Sequence, residues 1–162
     1  MATRWYRAPE LLLGAPYGRA VDVWSIGCII GELSDGQPLF PGESEIDQLM
    51  VIQKVLGPLP PDQMKRFALN PNFRGLKFPR DAFRHSVNCL QRKYAHIIAQ
   101  DIMALMEAIL KLDPDCRFTA TQCLGHHCFN DRRSVRNHSQ PPPLSRSESI
   151  SSTGIQLSIF SC

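Results

Sequence analysis

One stretch of the chain, from about Ala20 to Leu33, is apolar on almost every side when it is wound into a helix. A helix without a polar face is stable only when other elements surround it. Its four-residue spacing of Gly27 and Gly31 also predicts that a neighbouring element packs closely against it. We therefore predict a mainly α-helical fold around this hub helix, whose apolar residues are Val21, Val23, Trp24, Ile26, Cys28, Ile29, Ile30 and Leu33.

A second helix is predicted to begin after Ser44. Asp47 follows three residues later, which resembles a capping box, and Gly57 supplies a stop. From Pro58 to Lys93 the chain is rich in proline, asparagine and arginine, with isolated phenylalanines as apolar anchors. An irregular or short-helical course is expected there.

Two more helices are predicted near the end of the ordered part. An apolar stripe runs from Ile98 to Leu110 and ends before Asp113 and Pro114. Thr119 with Gln122 forms a capping pattern that opens a last short helix. No stretch alternates apolar and polar residues in the way that a half-buried strand does.

The charge and the cysteines limit the kinds of partner. The net charge is +3, from 18 Lys and Arg against 15 Asp and Glu, which is too balanced to predict binding to nucleic acid or to a membrane surface. The hub helix is shorter than the roughly 20 residues that span a bilayer. Six cysteines without a CxxC pair favour a reducing, intracellular compartment, in the cytoplasm, the nucleus or both.

Composition changes near Asn130, which divides the chain into two parts. Residues 131–162 are rich in serine, include Pro141-Pro142-Pro143, and contain few large apolar residues, so this tail is predicted to be disordered. The more apolar stretch Ile155 to Phe160 leaves two interpretations open, a docking peptide or a frayed terminus.

The opening stretch, from Ala2 to Glu10, reads ATRWYRAPE. It resembles the P+1 loop and Ala-Pro-Glu motif of serine/threonine protein kinases in the CMGC group, which contains the cyclin-dependent and mitogen-activated enzymes. The similarity extends to about residue 130, and residues 32–60 are most similar to the cyclin-dependent-kinase-like members. Its further motifs are Asp22 to Cys28, Pro38 to Gly42, Leu112 to Pro114 with Arg117, and Leu124 to His126.

The resemblance implies a fold and a domain boundary. Residues 1–130 would be a partial protein kinase domain, running from the P+1 loop to the last helix of the large lobe. The small lobe and the catalytic loop would be absent from it. Residues 131–162 would be the serine- and proline-rich tail.

The resemblance also implies a substrate-binding P+1 loop made by Ala2, Thr3, Arg4, Trp5 and Arg7. In the family, the threonine that matches Thr3 bonds the catalytic aspartate, and arginines like Arg4 and Arg7 gather a phosphorylated tyrosine. Arg7 is also expected to bond the carbonyl of Ala2. The carbonyl of Ala2 would then be unable to accept an N–H from the substrate residue after the target. Proline at that position would lose the least binding energy, because it has no N–H to satisfy.

Two further roles are implied for charged residues. Glu10 and Arg117 match a buried structural ion pair that ties the activation segment to the base of the large lobe. Asp22 matches the aspartate that accepts N–H bonds from the catalytic loop and so anchors that loop.

A cluster near residue 125 invites a metal interpretation, because thiolate and imidazole groups bind zinc. The spacing of Cys123, His126, His127 and Cys128 does not match common zinc fingers. The family pattern instead has a histidine at the place of His126 that packs at the base of the domain. No metal site is predicted.

The motifs for phosphoryl transfer do not occur in the 162 residues: there is no Gly-x-Gly-x-x-Gly, Val-Ala-Ile-Lys, His-Arg-Asp or Asp-Phe-Gly. No catalytic or cofactor-binding residue is therefore assigned. The full-length parent enzyme would use ATP and magnesium to phosphorylate protein serine or threonine, whereas this chain alone is predicted to be inactive. The alternative is a noncatalytic module that binds protein substrates or kinase partners.

The resemblance finally predicts an uncovered face on the hub helix. In the family, elements that precede the activation segment cover one side of this helix, so several of its residues are expected to face water unless another chain covers them. Each such side chain is worth about 1.5 to 3 kcal/mol of burial. A marginal, aggregation-prone fold is therefore expected, with candidates Val21, Val23, Trp24, Ile26 and Ile30.

Overall fold

The computed structural model describes residues 4–78 and 89–129. Within those ranges it contains helices and no strand, which confirms the mainly α-helical prediction. The predicted tail, and with it the stretch Ile155 to Phe160, lies outside the described residues. The helices are α1 (Pro9–Leu12), α2 (Ala20–Asp35), α3 (Glu45–Leu56), α4 (Pro61–Leu69), α5 (Cys89–Tyr94), α6 (Gln100–Ile109) and α7 (Ala120–Leu124), and 3-10 turns cover Arg4–Tyr6, Pro71–Phe73, Pro114–Cys116 and His127–Phe129.

Helix α2 is the hub that the sequence predicted. It packs against α6 and against the turn Arg4–Tyr6. Trp24 is fully buried and its ring stacks on Phe40, with the ring centroids 5.6 Å apart. The helix ends at Gly36, whose φ of 72° is left-handed and costs glycine little, and whose N–H donates to the carbonyl of Glu32.

The close approach predicted at the two α2 glycines is confirmed. A Cβ built on Gly27 would lie 2.7 Å from Cδ2 of Leu110, and one built on Gly31 would lie 2.9 Å from the hydroxyl of Tyr94. Both distances are shorter than carbon and oxygen atoms tolerate without a shift. The two glycines therefore let the end of α6 and the end of α5 pack directly on the α2 backbone.

One face of α2 is uncovered in the described part of the chain. Ile26 is 50% exposed, as predicted, and Ile29 and Leu33 are 46% and 82% exposed on the same face. The prediction is wrong for Val23 and Trp24, which are buried. Val23 packs with Leu105, Ile109 and Cys128. Trp24 belongs to the main core, where its ring contacts Phe40 and the guanidinium of Arg117.

Removal of this exposed apolar stripe is expected to improve solubility without loss of the fold. Ile26, Ile29 and Leu33 replaced together by glutamine should change the free energy of unfolding by less than about 1.5 kcal/mol, because each exposed substitution costs little. Self-association should fall because the apolar patch is gone. Urea unfolding and light scattering at rising protein concentration measure both. Val23→Gln is the control, since it buries an amide and should destabilise; equal aggregation of the triple variant and the wild type would contradict the expectation.

Four predicted helix boundaries are confirmed. Helix α3 begins after Ser44, whose hydroxyl accepts the N–H of Asp47 at 3.2 Å, and it ends at Gly57. Helix α6 ends before the Asp113-Pro114 turn. Helix α7 begins at a complete capping box between Thr119 and Gln122.

Helix α4 was not predicted as a separate helix, because only an irregular or short-helical course was expected there. Its N-terminus carries proline at the first helical position, which suits a helix start. Its inward face has few apolar residues and includes Gln63, which is buried and donates to the carbonyl of Leu112 at 2.5 Å. Because a polar residue takes a core position, the apolar periodicity that marks a helix is too sparse to read there.

Candidate functional site

The described part of the predicted P+1 loop is a short turn, Arg4–Tyr6, followed by Arg7. We call the four residues Arg4 to Arg7 the P+1 segment. It leads directly into α1, which begins at Pro9. The segment packs between α2 and the start of α3. Ala2 and Thr3, which were predicted to belong to the same loop, lie outside the described residues.

A ring of hydrogen bonds holds the P+1 segment against the start of α3. The indole Nε1 of Trp5 donates to the carbonyl of Gly42 at 3.1 Å. The N–H of Gly42 donates to Oε1 of Gln48 at 2.9 Å, and Nε2 of Gln48 donates to the carbonyl of Trp5 at 3.3 Å. The ring closes on itself, so each of the three residues both gives and receives a bond.

The two arginines of the segment lie over the same helix start. Nη1 of Arg4 donates to the carbonyl of Glu43 at 2.8 Å, while its buried Nε has no partner among the described residues. Nη1 of Arg7 lies 4.0 Å from Oε1 of Glu45, and both of these side chains are about two fifths exposed. The guanidinium of Arg7 is therefore only loosely engaged by an exposed, water-screened contact.

Helix α2 holds the other side of the segment. The hydroxyl of Ser25 donates to the carbonyl of Tyr6 at 2.9 Å, and the phenol of Tyr6 donates to Oε2 of Glu32 at 2.5 Å. This hydrogen bond to a carboxylate raises the pKa of Tyr6, since losing the proton would set two negative groups side by side. The segment is thus bonded to two different helices.

The predicted partners Glu10 and Arg117 lie together in the interior. Nη1 and Nη2 of Arg117 donate to Oε1 and Oε2 of Glu10 at 2.8 and 3.1 Å, a two-pronged geometry. Nη1 also donates to the carbonyl of Ala20, and Nε donates to the carbonyl of Lys111. Since the guanidinium also lies 5.1 Å from the ring centre of Trp24, this one side chain links α1, α2 and the chain after α6.

Asp22 lies apart from the P+1 segment. Its side chain is exposed near the start of α2. It shares the uncovered face with Ile26, Ile29 and Leu33, at helical spacings of four, seven and eleven residues. The predicted role of Asp22 as an anchor for a catalytic loop stays a prediction, and the position is open to a partner from outside the described residues.

The cysteine and histidine cluster has local contacts of its own. Nδ1 of His126 accepts the N–H of Cys128 at 3.4 Å, and its ring meets Phe118 edge-on. Cys128 is buried in a small core with Val23. Within residues 4–78 and 89–129, no group of three or more His, Cys, Asp or Glu side chains is arranged to hold a metal ion.

The residues that fix the P+1 segment were not predicted from the sequence. Gln48 is as buried as any core residue, although glutamine is usually exposed. Ser25 and Glu32 lie among the polar interruptions of the apolar α2 stretch. Such interruptions in an otherwise apolar helix were the available signal, because a polar residue there needs a partner. What the sequence could not give is the identity of that partner, the P+1 segment.

A family model described as the protein kinase domain matches residues 1–129 of the chain. The chain belongs to the protein kinase family. This kinase chain is 62% identical over 133 residues to cyclin-dependent kinase-like 5 of Mus musculus and of Homo sapiens, an alignment that covers 82% of the chain and 14% of each relative. It is 45% identical over 130 residues to cyclin-dependent kinase-like 2 of Oryctolagus cuniculus, covering 80% of the chain and 22% of that relative.

These relatives confirm the resemblance to serine/threonine kinases of the cyclin-dependent-kinase-like type within the CMGC group. The kinase chain spans about one seventh of the length of the first two relatives. None of its described helices has the length and apolar character that crossing a membrane requires.

Proposed function

We propose that this chain forms the substrate-facing platform of a serine/threonine protein kinase of the cyclin-dependent-kinase-like type. The whole enzyme, inside the cell in the cytoplasm, the nucleus or both, would transfer the γ-phosphate of ATP to protein serine or threonine. The observation that carries the proposal is the P+1 segment itself, which is bonded to α2 on one side and to α3 on the other. A loop fixed in this way is preorganised to receive an extended peptide.

Arg7 is the residue that would set the preference for the peptide. Its side chain is about two fifths exposed, and its guanidinium has only a 4.0 Å contact to Glu45 within the described residues. It therefore remains available to bond the carbonyl of Ala2, as the family resemblance implies. With that carbonyl occupied, the N–H of the residue after the target serine finds no acceptor, and proline loses nothing there.

The proposal assigns ATP and magnesium to the whole enzyme. Among the described residues, no group of three or more His, Cys, Asp or Glu side chains is arranged to hold a metal ion. The sequence also lacks the glycine-rich and aspartate motifs that hold the nucleotide and its metal. The chain by itself is therefore proposed not to transfer phosphate.

Binding of a matched peptide pair tests the platform. A fluorescein-labelled peptide with Ser-Pro should bind the 162-residue chain about fivefold more tightly than the same peptide with Ser-Ala, since an unsatisfied buried N–H is costly. Arg7→Leu should remove this preference because it frees the carbonyl of Ala2. Arg66→Leu, an exposed arginine on α4, is the control for loss of charge.

Equal affinity for the two peptides in the wild-type chain would contradict the assigned role of Arg7, and no binding of either peptide would contradict the platform. A parallel incubation with magnesium-ATP should give neither peptide labelling nor a rise in the unfolding temperature. Labelling in a preparation shown to contain no other kinase would contradict the proposed inactivity.

A second candidate function is a noncatalytic module that binds a protein partner. The observation that favours it is the uncovered face of α2, where Ile26, Ile29 and Leu33 are exposed beside Asp22. In the first proposal this face is covered by the rest of the kinase domain, and in the second it is covered by another chain. A partner that binds the wild-type chain but not the triple glutamine variant of this face, while peptide binding is unchanged, would favour the second candidate.

A further inference from the structure

Gln48 takes part in the hydrogen-bond ring through its side chain alone. Both ends of its carboxamide are used, the oxygen by the N–H of Gly42 and the nitrogen by the carbonyl of Trp5. The side chain is fully buried, at 0% exposure. A buried amide that met only one of these two groups would leave the other without a partner, so the ring requires both bonds.

The chemistry of the ring allows few side chains at this position. One end must accept a hydrogen bond from an N–H and the other must donate one to a carbonyl, at the distance set by a single carbon. A carboxamide does both, and a protonated carboxyl group does both. An ionised carboxylate has no proton to donate, and methionine offers neither bond at comparable size.

We propose that Gln48 is a positioning residue for the substrate loop: it fixes the carbonyl of Trp5, and through it the height of the P+1 segment above α3. This inference rests on the proposed function, because Gln48 can position a substrate loop only if the P+1 segment binds substrate. Gln48 bonds the main-chain carbonyl of Trp5 and does not itself touch the substrate. It would therefore act on the substrate only through the position of Trp5 and Arg7. Through Gln48, helix α3 thereby sets the geometry of a loop whose Trp5 lies 43 residues earlier in the chain.

Helix α3 contains an internal control for this assignment. Gln53 is also fully buried, and its carboxamide also makes two bonds to the main chain. Its nitrogen donates to the carbonyl of Leu49, and its oxygen accepts the N–H of Leu59, both at 3.1 Å. Gln53 therefore fixes the loop after α3, at the opposite end of the helix from the P+1 segment. A substitution there removes the same chemistry from the same helix.

The first experiment compares Gln48→Met with Gln53→Met in the full 162-residue chain. The chain has two tryptophans, so the indole N–H signals of Trp5 and Trp24 can be followed separately by NMR. Gln48→Met should raise the hydrogen-exchange rate of the Trp5 indole and weaken binding of the Ser-Pro peptide, each by about tenfold, as expected for two lost hydrogen bonds. Gln53→Met should change neither the exchange rate of the Trp5 indole nor the peptide affinity. It should lower the free energy of unfolding by about as much as Gln48→Met does.

The second experiment uses a rescue by protonation. Gln48→Glu keeps the shape of the side chain, and burial is expected to raise the pKa of the new carboxyl group. Below that pKa the protonated group can donate a hydrogen bond to the carbonyl of Trp5. The contribution of this bond to peptide affinity is present at low pH and is lost as pH rises through the folded-state pKa. Peptide affinity should therefore approach the wild-type value near pH 5 and fall about tenfold by pH 8, as the carboxylate forms.

Other charged groups could also respond to pH, and the wild-type profile measured over the same range controls for them. Gln48→Met gives a second control, since it has no group to protonate and should not recover at low pH. The charged side chains on the elements that pack against α3 are Arg4, Glu10, Arg92 and Lys93. Its own first turn adds Glu45 and Asp47, and the adjoining loops add Arg7 and Glu43.

Each outcome decides the inference. An unchanged Trp5 indole exchange in Gln48→Met, equal effects of Gln48→Met and Gln53→Met on peptide binding, or a pH profile of Gln48→Glu identical to that of Gln48→Met would overturn it. If Gln48→Met does not fold, the profile of Gln48→Glu still decides. If the wild-type chain binds no peptide, the proposed function fails, while the Trp5 indole signals still report whether Gln48 holds the segment.

Discussion

Replacement of Arg117 by methionine is expected to lower the free energy of unfolding by about 3 to 5 kcal/mol. The substitution strands the carboxylate of Glu10, which is 2% exposed, in a site where water cannot replace the lost guanidinium. It also removes the donors to the carbonyls of Ala20 and Lys111. Urea unfolding followed by circular dichroism measures the loss, because this signal does not depend on the contact between Arg117 and Trp24.

The controls separate a stranded charge from a lost ion pair. Lys93→Met removes a cation that pairs with Asp35 at 3.1 Å near the surface, and it should cost only about 0.2 to 1 kcal/mol. The double variant Glu10→Leu with Arg117→Met removes both buried charges and should regain part of the stability that the single variant loses. If Arg117→Met cost no more than Lys93→Met, the pair would not be structural.

A loss of that size matters because a typical domain has only about 5 to 15 kcal/mol of stability in total. The pair is also placed to affect function. Glu10 is the second residue of α1, three residues after the P+1 segment ends, and Arg117 holds it against α2, the helix that bonds Tyr6. Stability of the interior and the position of the substrate loop therefore depend on one buried contact.

The sequence predicts helices well where local chemistry decides the structure. The boundaries at Ser44 and Thr119 follow from side chains that satisfy the main chain within three residues, and the boundary at Gly57 follows from a positive φ that favours glycine. All three can be identified from the sequence without knowledge of the tertiary structure. The hub character of α2 follows in the same way, since the apolar residues themselves require surrounding elements.

The sequence predicts less well which side of a helix is covered. The family resemblance suggested that Val23 and Trp24 would be candidates for exposure, but α6 and the chain around Phe40 bury them. The exposed set, Ile26, Ile29 and Leu33, depends on the orientation of α2 relative to elements distant in sequence. Orientation of that kind is set by tertiary packing, which a helical repeat does not encode by itself.

The candidate site shows the same division. The P+1 segment was recognised from its residues, because a motif of consecutive side chains is visible in one dimension. The residues that support it were not, since Gln48 lies forty-three residues from Trp5, and its nearer partner is the main-chain N–H of Gly42, which no side-chain pattern reveals. Buried polar residues such as Gln48 and Gln63 are the positions where such long-range supports should be sought.

Replacement of Gly42 by alanine is expected to destabilise the chain by about 3 kcal/mol, at the upper end of the usual cost of overpacking. A Cβ at this position would lie 2.5 Å from the backbone nitrogen of Gln48, and it would also collide with the Cα of that residue. Backbone atoms in the first turn of α3 cannot rotate away as a side chain can. Gly42 and the first turn of α3 must therefore separate, which breaks the bond from the N–H of Gly42 to Oε1 of Gln48 and displaces the carbonyl that accepts from the Trp5 indole.

Two other glycines give a graded control for this prediction. Gly27→Ala meets the flexible end of Leu110, which can yield, so its cost should be smaller, about 1 to 2 kcal/mol. Gly18→Ala meets no atom within 4 Å and should be neutral or slightly stabilising, because alanine restricts the unfolded chain. Urea unfolding of the three variants, with the indole exchange of Trp5 measured in parallel, should give this order, and only Gly42→Ala should raise the exchange rate. A Gly42→Ala chain as stable as Gly18→Ala would mean that α3 does not press on the loop, and the preorganisation of the P+1 segment would then need another source.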